Sequence, residues 1–160
     1  PAIVVACAGL GIEGRFEGLD ALPYKETDRI KVLATELHKL DIHTSYTNRL
    51  LTLRPRLAAL AADRPLCLSS HNDHRIAMAL SAFRFILPSG SISISNHRCV
   101  AKSFPTYWEQ MQHYCSNIWN SEPQNIITKI FVIWNKMCTF AIGWGTLLYI
   151  YKVCMQWCIR

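Results

Sequence analysis

The chain has 160 residues, a formal net charge of +6 and a pI of about 9.1, with 51% hydrophobic and 18% charged residues. That length suffices for one domain with a sizeable core plus an appendage, and the apolar content excludes a disordered chain. The basic residues are scattered and no nucleic-acid-binding motif is present, so the excess charge points to a small phosphorylated ligand or an anionic surface rather than to nucleic acid.

Residues 2–10 are small and apolar and end in Gly9-Leu10-Gly11, which predicts the C-terminal end of a helix rather than a strand. Glu13 to Glu17 reads as a short strand. A helix is predicted from about Asp28 to Leu40, because Ile30, Leu33, Leu37 and Leu40 fall three or four apart. Residues 42–46 and 49–54 read as the strands of a hairpin joined at Thr47-Asn48, and Pro55 stops the second. A short helical turn at 57–62 and a strand from Leu66 to Ser69 follow. From Asn72 or Asp73 a second helix is predicted through Met78, Ala82 and Phe85 to about Leu87. Pro88-Ser89-Gly90 is a turn, and SISIS at 91–95 alternates as a half-buried strand does. A last helix is predicted to begin near Pro105, a residue suited to a first helical turn. The pattern is α/β (α+β), a mixed sheet with helices and no long linker.

The chain changes character near residue 115. Up to Tyr114 it holds 13 of its 17 Lys and Arg, 10 of its 11 Asp and Glu and all six His. From Cys115 onward come four of the five Trp, four of the seven Cys and a single acid, Glu122. The uncharged run at 137–151, flanked by Lys136 and Lys152, is shorter than the roughly 20 residues that span a bilayer. Three readings of the tail stay open: a membrane anchor, a packed extra helix or strand pair, and sequence foreign to the fold from a truncated or shifted reading frame. The cysteines form no CxxC pair, Cys154 and Cys158 being four apart, so no metal site is indicated and reduced thiols are expected. No basic segment precedes the apolar stretch at Pro1, so a secretory leader is not expected and the cytoplasm is the expected compartment.

The informative feature is where the cations fall. Lys25 and Arg29 bracket the start of the first amphipathic helix, His74 and Arg75 open the second after the capping pair Asn72-Asp73, and Lys102 lies just before the third. A helix N-terminus is already an anion site, and a cation beside it is disfavoured by up to about 1 kcal/mol unless an anion lies between them. Each position has a plainer account: a solvated Arg29, Asp28 and Asp73 as simple caps, Glu26 as a counter-charge, His74 as a surface or structural histidine. Three such starts between residues 25 and 105 suggest one shared anionic ligand. A non-catalytic phosphate-binding module, tethered by its tail to a membrane, would also fit this pattern.

KETDRI at 25–30, NDHRIAMA at 72–79 and CVAKSFPTYWEQM at 99–111 resemble, in order and spacing, the three C-terminal signatures of 5-enolpyruvylshikimate-3-phosphate synthases. CAGLGIEGRFEGLDAL and the ATELHKL helix are similar as well, so the resemblance spans about residues 3–114. KETDR and the NDHR-AM pairing favour this family over the sister one that transfers enolpyruvyl to UDP-N-acetylglucosamine. The resemblance implies transfer of the enolpyruvyl group of phosphoenolpyruvate to the 5-hydroxyl of shikimate 3-phosphate, without organic cofactor or catalytic metal. It implies that Arg29, Arg75 and Lys102 bind phosphoenolpyruvate, that Lys25 contacts the shikimate side, and that Glu26 and His74 serve the proton transfers.

The implied fold is part of an inside-out α/β barrel domain built of βαβαββ units, covering residues 1–114, with 115–160 as an apolar tail. The family has two such domains. The N-terminal one, with its own phosphate-binding residues, has no counterpart here, and a family aspartate proposed as acid/base would fall before Pro1. Ala21 stands where relatives often have asparagine. The expectation is a C-terminal fragment that is inactive alone and needs the missing domain as partner.

Overall fold

A computed structural model of the chain describes residues 1–47, 49–55, 65–87 and 90–120. The predicted turn at 57–62 and the uncharged run at 137–151 lie outside those residues, as do Asn48, Pro88 and Ser89. The described elements are α1 (Ala2–Leu10), β1 (Gly14–Phe16), α2 (Arg29–His38), β2 (His43–Tyr46), β3 (Leu51–Arg54), β4 (Leu66–Ser69), α3 (His74–Ser81), β5 (Ile92–Ser95) and α4 (Tyr107–Asn120). Short 3₁₀ turns occupy Leu22–Tyr24, Ala82–Phe85 and His97–Lys102.

The strands form an antiparallel sheet ordered β1-β3-β2 and a parallel pair β4-β5. In the first, Gly14 faces Leu53 and Phe16 faces Leu51, while His43 faces Arg54 across the hairpin. In the second, Leu66 pairs with Ile92 and Ser69 with Ser95, with α3 as the crossover that a parallel pair requires. The order α1-β1-α2-β2-β3 matches the αβαββ part of the expected unit, and β4-α3-β5-α4 the βαβα part of another.

Local chemistry sets these boundaries. Gly11 ends α1 at φ 70°, its N–H donating to Ala8 and that of Ile12 to Cys7 at 2.9 Å, a Schellman cap that needs the left-handed region glycine enters freely. Asp28 caps α2 by accepting from the Lys31 N–H at 3.1 Å. The predicted α2 stripe is the core: Ile30, Leu33, Leu37 and Leu40 are all buried, each worth about 1.5–3 kcal/mol in removed apolar surface. They pack with Val5 and Ala8 of α1, Leu51 and Leu53 of β3, and Leu68, Ile76, Leu80 and Phe83.

Two boundaries differ from expectation. The second helix stops at Ser81 and tightens into the Ala82–Phe85 turn, which buries Phe83 and Phe85. The third starts at Tyr107, not Pro105, because residues 97–102 wind into a 3₁₀ turn that buries Cys99 and Val100. Helix α4 then runs through the compositional change at residue 115, fastened to α3 by Tyr107, whose hydroxyl lies 2.6 Å from Ser81 Oγ and donates to the Met78 carbonyl at 3.3 Å. Burial pushes the Tyr107 phenol up to about 12, against the opposing bond from Ser81.

Candidate functional site

The start of α2 and the start of α3 meet. Arg29 is the first residue of α2 and Asp73 caps α3, accepting from the N–H groups of Arg75 at 2.9 Å and Ile76 at 3.4 Å. The Arg29 guanidinium donates to Asp73 through Nε at 2.6 Å and Nη2 at 3.1 Å, and Thr27 Oγ1 donates to the same carboxylate at 3.3 Å. Arg29 is 5% exposed and Asp73 is fully buried. Burial alone would raise the Asp73 carboxyl, but the hydrogen bonds and charge of Arg29, with the Arg75 and Ile76 amides, hold it below the ordinary aspartate range. Arg29 is therefore not a solvated cation at a helix start, and its unfavourable position on the dipole is offset by a buried carboxylate.

Arginine has two bidentate faces, and Asp73 takes the side-on one. The end-on face makes no further hydrogen bond among the described residues. Glu26 borders it, with Oε2 3.8 Å from Arg29 Nη2, an ion-pair distance and not a hydrogen bond. The same Oε2 lies 3.0 Å from Nδ1 of His74. With Glu26 ionised, Nδ1–H donates to it and Nε2 is the atom left to face a reactant.

Glu26, Arg29 and His74 are thus brought together. Arg75 contributes its amide to the cap and exposes its side chain. Lys25 and Lys102 are exposed and make no side-chain hydrogen bond or ion pair among the described residues; Lys102 closes the His97–Lys102 turn, which packs against α3. Oxygens of Glu26 and Asp73 and a nitrogen of His74 come within 4.8 Å of one another. That grouping does not suit a metal ion, because Asp73 already accepts from Arg29, Thr27, Arg75 and Ile76 and the neighbouring charge is a guanidinium.

The sequence reading took Asp73 for a cap alone and missed its pairing with Arg29. A buried arginine demands a buried acid, but nothing along the chain says which of the acids is 44 residues away in sequence and beside it in space. Glu36 was missed too, although a signal existed. It follows Leu33 by three and precedes Leu37, so the α2 periodicity places it on the buried face.

The family profile of EPSP synthase (3-phosphoshikimate 1-carboxyvinyltransferase) matches residues 1–111. The 3-phosphoshikimate 1-carboxyvinyltransferase of Bacteroides fragilis strain YCH46 is 36% identical over 111 residues, which is 68% of this chain and 26% of that protein. The Syntrophobacter fumaroxidans enzyme of the same name is 34% identical over 113 residues, 70% of this chain and 25% of the relative. The solved structure of EPSP synthase from Acinetobacter baumannii superposes with a TM-score of 0.59 at 30% identity, over 71% of this chain and 26% of that one. The chain spans about a quarter of the length of these relatives. With the profile, the sequence identity and the fold in agreement, the chain belongs to the EPSP synthase family.

Proposed function

We propose that the chain carries the phosphoenolpyruvate-binding portion of a 3-phosphoshikimate 1-carboxyvinyltransferase. In that reaction the 5-hydroxyl of shikimate 3-phosphate loses its proton and adds to the enolpyruvyl carbon while the methylene carbon gains one; phosphate then leaves the tetrahedral intermediate as the new methyl group gives up a proton, which restores the enol double bond. The observation that carries the reading is Arg29, buried and fixed on Asp73, with its end-on face beside the Glu26–His74 pair. Phosphoenolpyruvate bears a carboxylate and a phosphate. Arg29, Arg75 and Lys102 supply cations from three separate elements, and Lys25 lies one residue before Glu26 on the side given to shikimate 3-phosphate. A carboxylate among cations is a poor acid by itself. The 3.0 Å contact with His74 offers a donor instead: as an imidazolium, His74 gives up its Nε2 proton and is left neutral with Nδ1–H still donating to the Glu26 carboxylate, and solvent restores the proton.

Closure of two domains over the substrates excludes water in enzymes of this kind of design. Residues 1–114 supply one side of that cleft, so the chain alone is inactive and works in the cytoplasm with the remaining, N-terminal part of the enzyme. No cofactor or metal enters the scheme, and among the described residues no helix is long and apolar enough to cross a membrane.

Calorimetric titration of the chain with phosphoenolpyruvate tests the site. Binding that Arg75→Ala reduces by at least about tenfold is expected for a lost charge-assisted contact. Unchanged affinity in that variant would refute a shared cation site. Turnover on mixing with a separately produced N-terminal part, and none without it, is the expected result for the reaction itself.

A further inference from the structure

Besides Asp73, one carboxylate is buried among the described residues: Glu36, on the core side of α2. Its oxygens accept from Lys39 Nζ at 2.9 and 2.8 Å and from the Ser69 N–H at 2.7 Å, and Oε1 lies 2.9 Å from His71 Nε2. Lys39 is the cap at the end of the same helix, but Ser69 ends β4 and His71 belongs to the loop that leaves it. A carboxylate that merely solvated α2 would face water. This one is removed from water and reaches across to another element, so its orientation fixes that element. Burial alone pushes the Glu36 carboxyl up, yet the Lys39, Ser69 and His71 contacts outweigh it and hold it below the ordinary range.

The loop it holds is unusual. His71 at φ 49° and Asn72 at φ 62° are consecutive non-glycine residues in the left-handed region, which persists only where the surroundings over-determine it. On one side Ser70 ties the loop to the end of β5, its N–H donating to Ser95 at 3.3 Å and its hydroxyl to the Asn96 carbonyl at 3.2 Å. Within it, the His71 N–H donates to Ser69 Oγ and that of Asn72 to Ser70 Oγ. On the other side stands Glu36. The loop ends at Asp73, which receives Arg29 and opens α3 with His74 and Arg75.

We propose that Glu36 is a positioning residue for the anion site: by clamping the Ser69 amide and the His71 ring it holds the left-handed turn that sets Asp73, His74 and Arg75 against Arg29. Its consequence for ligand binding rests on the phosphoenolpyruvate reading above; its consequence for the geometry does not. Glu36→Gln keeps the volume but replaces one acceptor oxygen by an amide nitrogen that only donates, so the bonds from Lys39, Ser69 and His71 cannot all be kept. Lys39→Ala is the comparison, removing the one Glu36 partner outside β4 and its loop while the Ser69 and His71 contacts stay. His71→Ala, at an exposed ring, opens the clamp from the loop side should Glu36→Gln fail to fold.

In ¹⁵N NMR of the full chain without ligand, Glu36→Gln and His71→Ala should both shift the Arg29 Nε–H resonance and the amides of His74, Arg75 and Ile76. Lys39→Ala should leave these in place. In calorimetry with phosphoenolpyruvate, Glu36→Gln should weaken binding about tenfold and Lys39→Ala less than about twofold, as for one charged hydrogen-bond network lost or kept. Resonances of Arg29 and His74 to Ile76 that stay put in the clamp variants, or that move equally in Lys39→Ala, would overturn the proposal. So would an unchanged affinity in Glu36→Gln beside a parent chain that binds. A parent that binds no phosphoenolpyruvate would remove the functional reading instead, and the ligand-free resonances would still decide the role of Glu36.

Discussion

Replacing Asp73 by asparagine isolates the pair on which the site is built. Asparagine keeps the shape and remains a good helix cap, so the α3 amides of Arg75 and Ile76 retain an acceptor. What is lost is the charge opposite Arg29, a guanidinium only 5% exposed that has given up its hydration. Removing one partner of a buried ion pair typically destabilises by about 3–5 kcal/mol, because the survivor stays buried and uncompensated. At roughly 3–4 °C per kcal/mol for a domain of this size, thermal unfolding followed by circular dichroism should drop by about 10–20 °C. A second change checks the cause. Arg29→Met removes the orphaned cation at similar length, so Arg29→Met with Asp73→Asn should be more stable than Asp73→Asn alone. A loss below about 1 kcal/mol in Asp73→Asn, or losses that simply add in the double variant, would refute the buried pair.

Acid should probe the same groups. Asp73 and Glu36 both titrate below the ordinary carboxylate range in the folded chain and near 4 when it is unfolded. A depressed folded value gives stabilisation that is complete above the unfolded value and is lost as pH falls through it toward the folded ones. The urea midpoint should therefore drop below about pH 4, and Asp73→Asn should blunt that drop; equal acid sensitivity in parent and variant would contradict the assignment. At the end of α1, Gly11→Ala places a Cβ at φ 70° and should destabilise by about 1–2 kcal/mol in denaturant titration with an unchanged slope. A loss under about 0.3 kcal/mol would show that the left-handed cap is not retained.

Much of this fold could be read directly because its elements obey local rules. The α2 stripe of Ile30, Leu33, Leu37 and Leu40 is buried as its spacing requires, the hairpin of β2 and β3 pairs antiparallel, and the Gly9-Leu10-Gly11 ending of α1 is a glycine cap. The boundaries that slipped are those where a 3₁₀ turn competes with an α-helix, at Ala82–Phe85 and His97–Lys102, and no local residue distinguishes the two. Of the site, the motif residues Glu26, Arg29 and His74 were legible one by one, but their mutual contacts were not. Arg29 and Asp73 lie on different helices, and which acid neutralises which cation is decided by how α2 and α3 pack. Glu36 marks the other limit of pattern reading. A charged residue on an apolar stripe is an inconsistency visible in the sequence, and such inconsistencies mark places where a side chain does more than fill space.

Asp73 also answers why cations should crowd two helix starts that already carry partial positive charge. One carboxylate closes two open ends at once: its oxygens satisfy the first amides of α3 and balance the arginine that opens α2. Asp73 and, at 3.8 Å, Glu26 both offset the charge of Arg29, so the cation is not left uncompensated between two helix starts. On the proposed reading, an entering anion meets an Arg29 guanidinium already fixed by Asp73 and need not reorganise it. The acids that look like competitors for the arginines are what allow these cations to stand close together before the anion arrives.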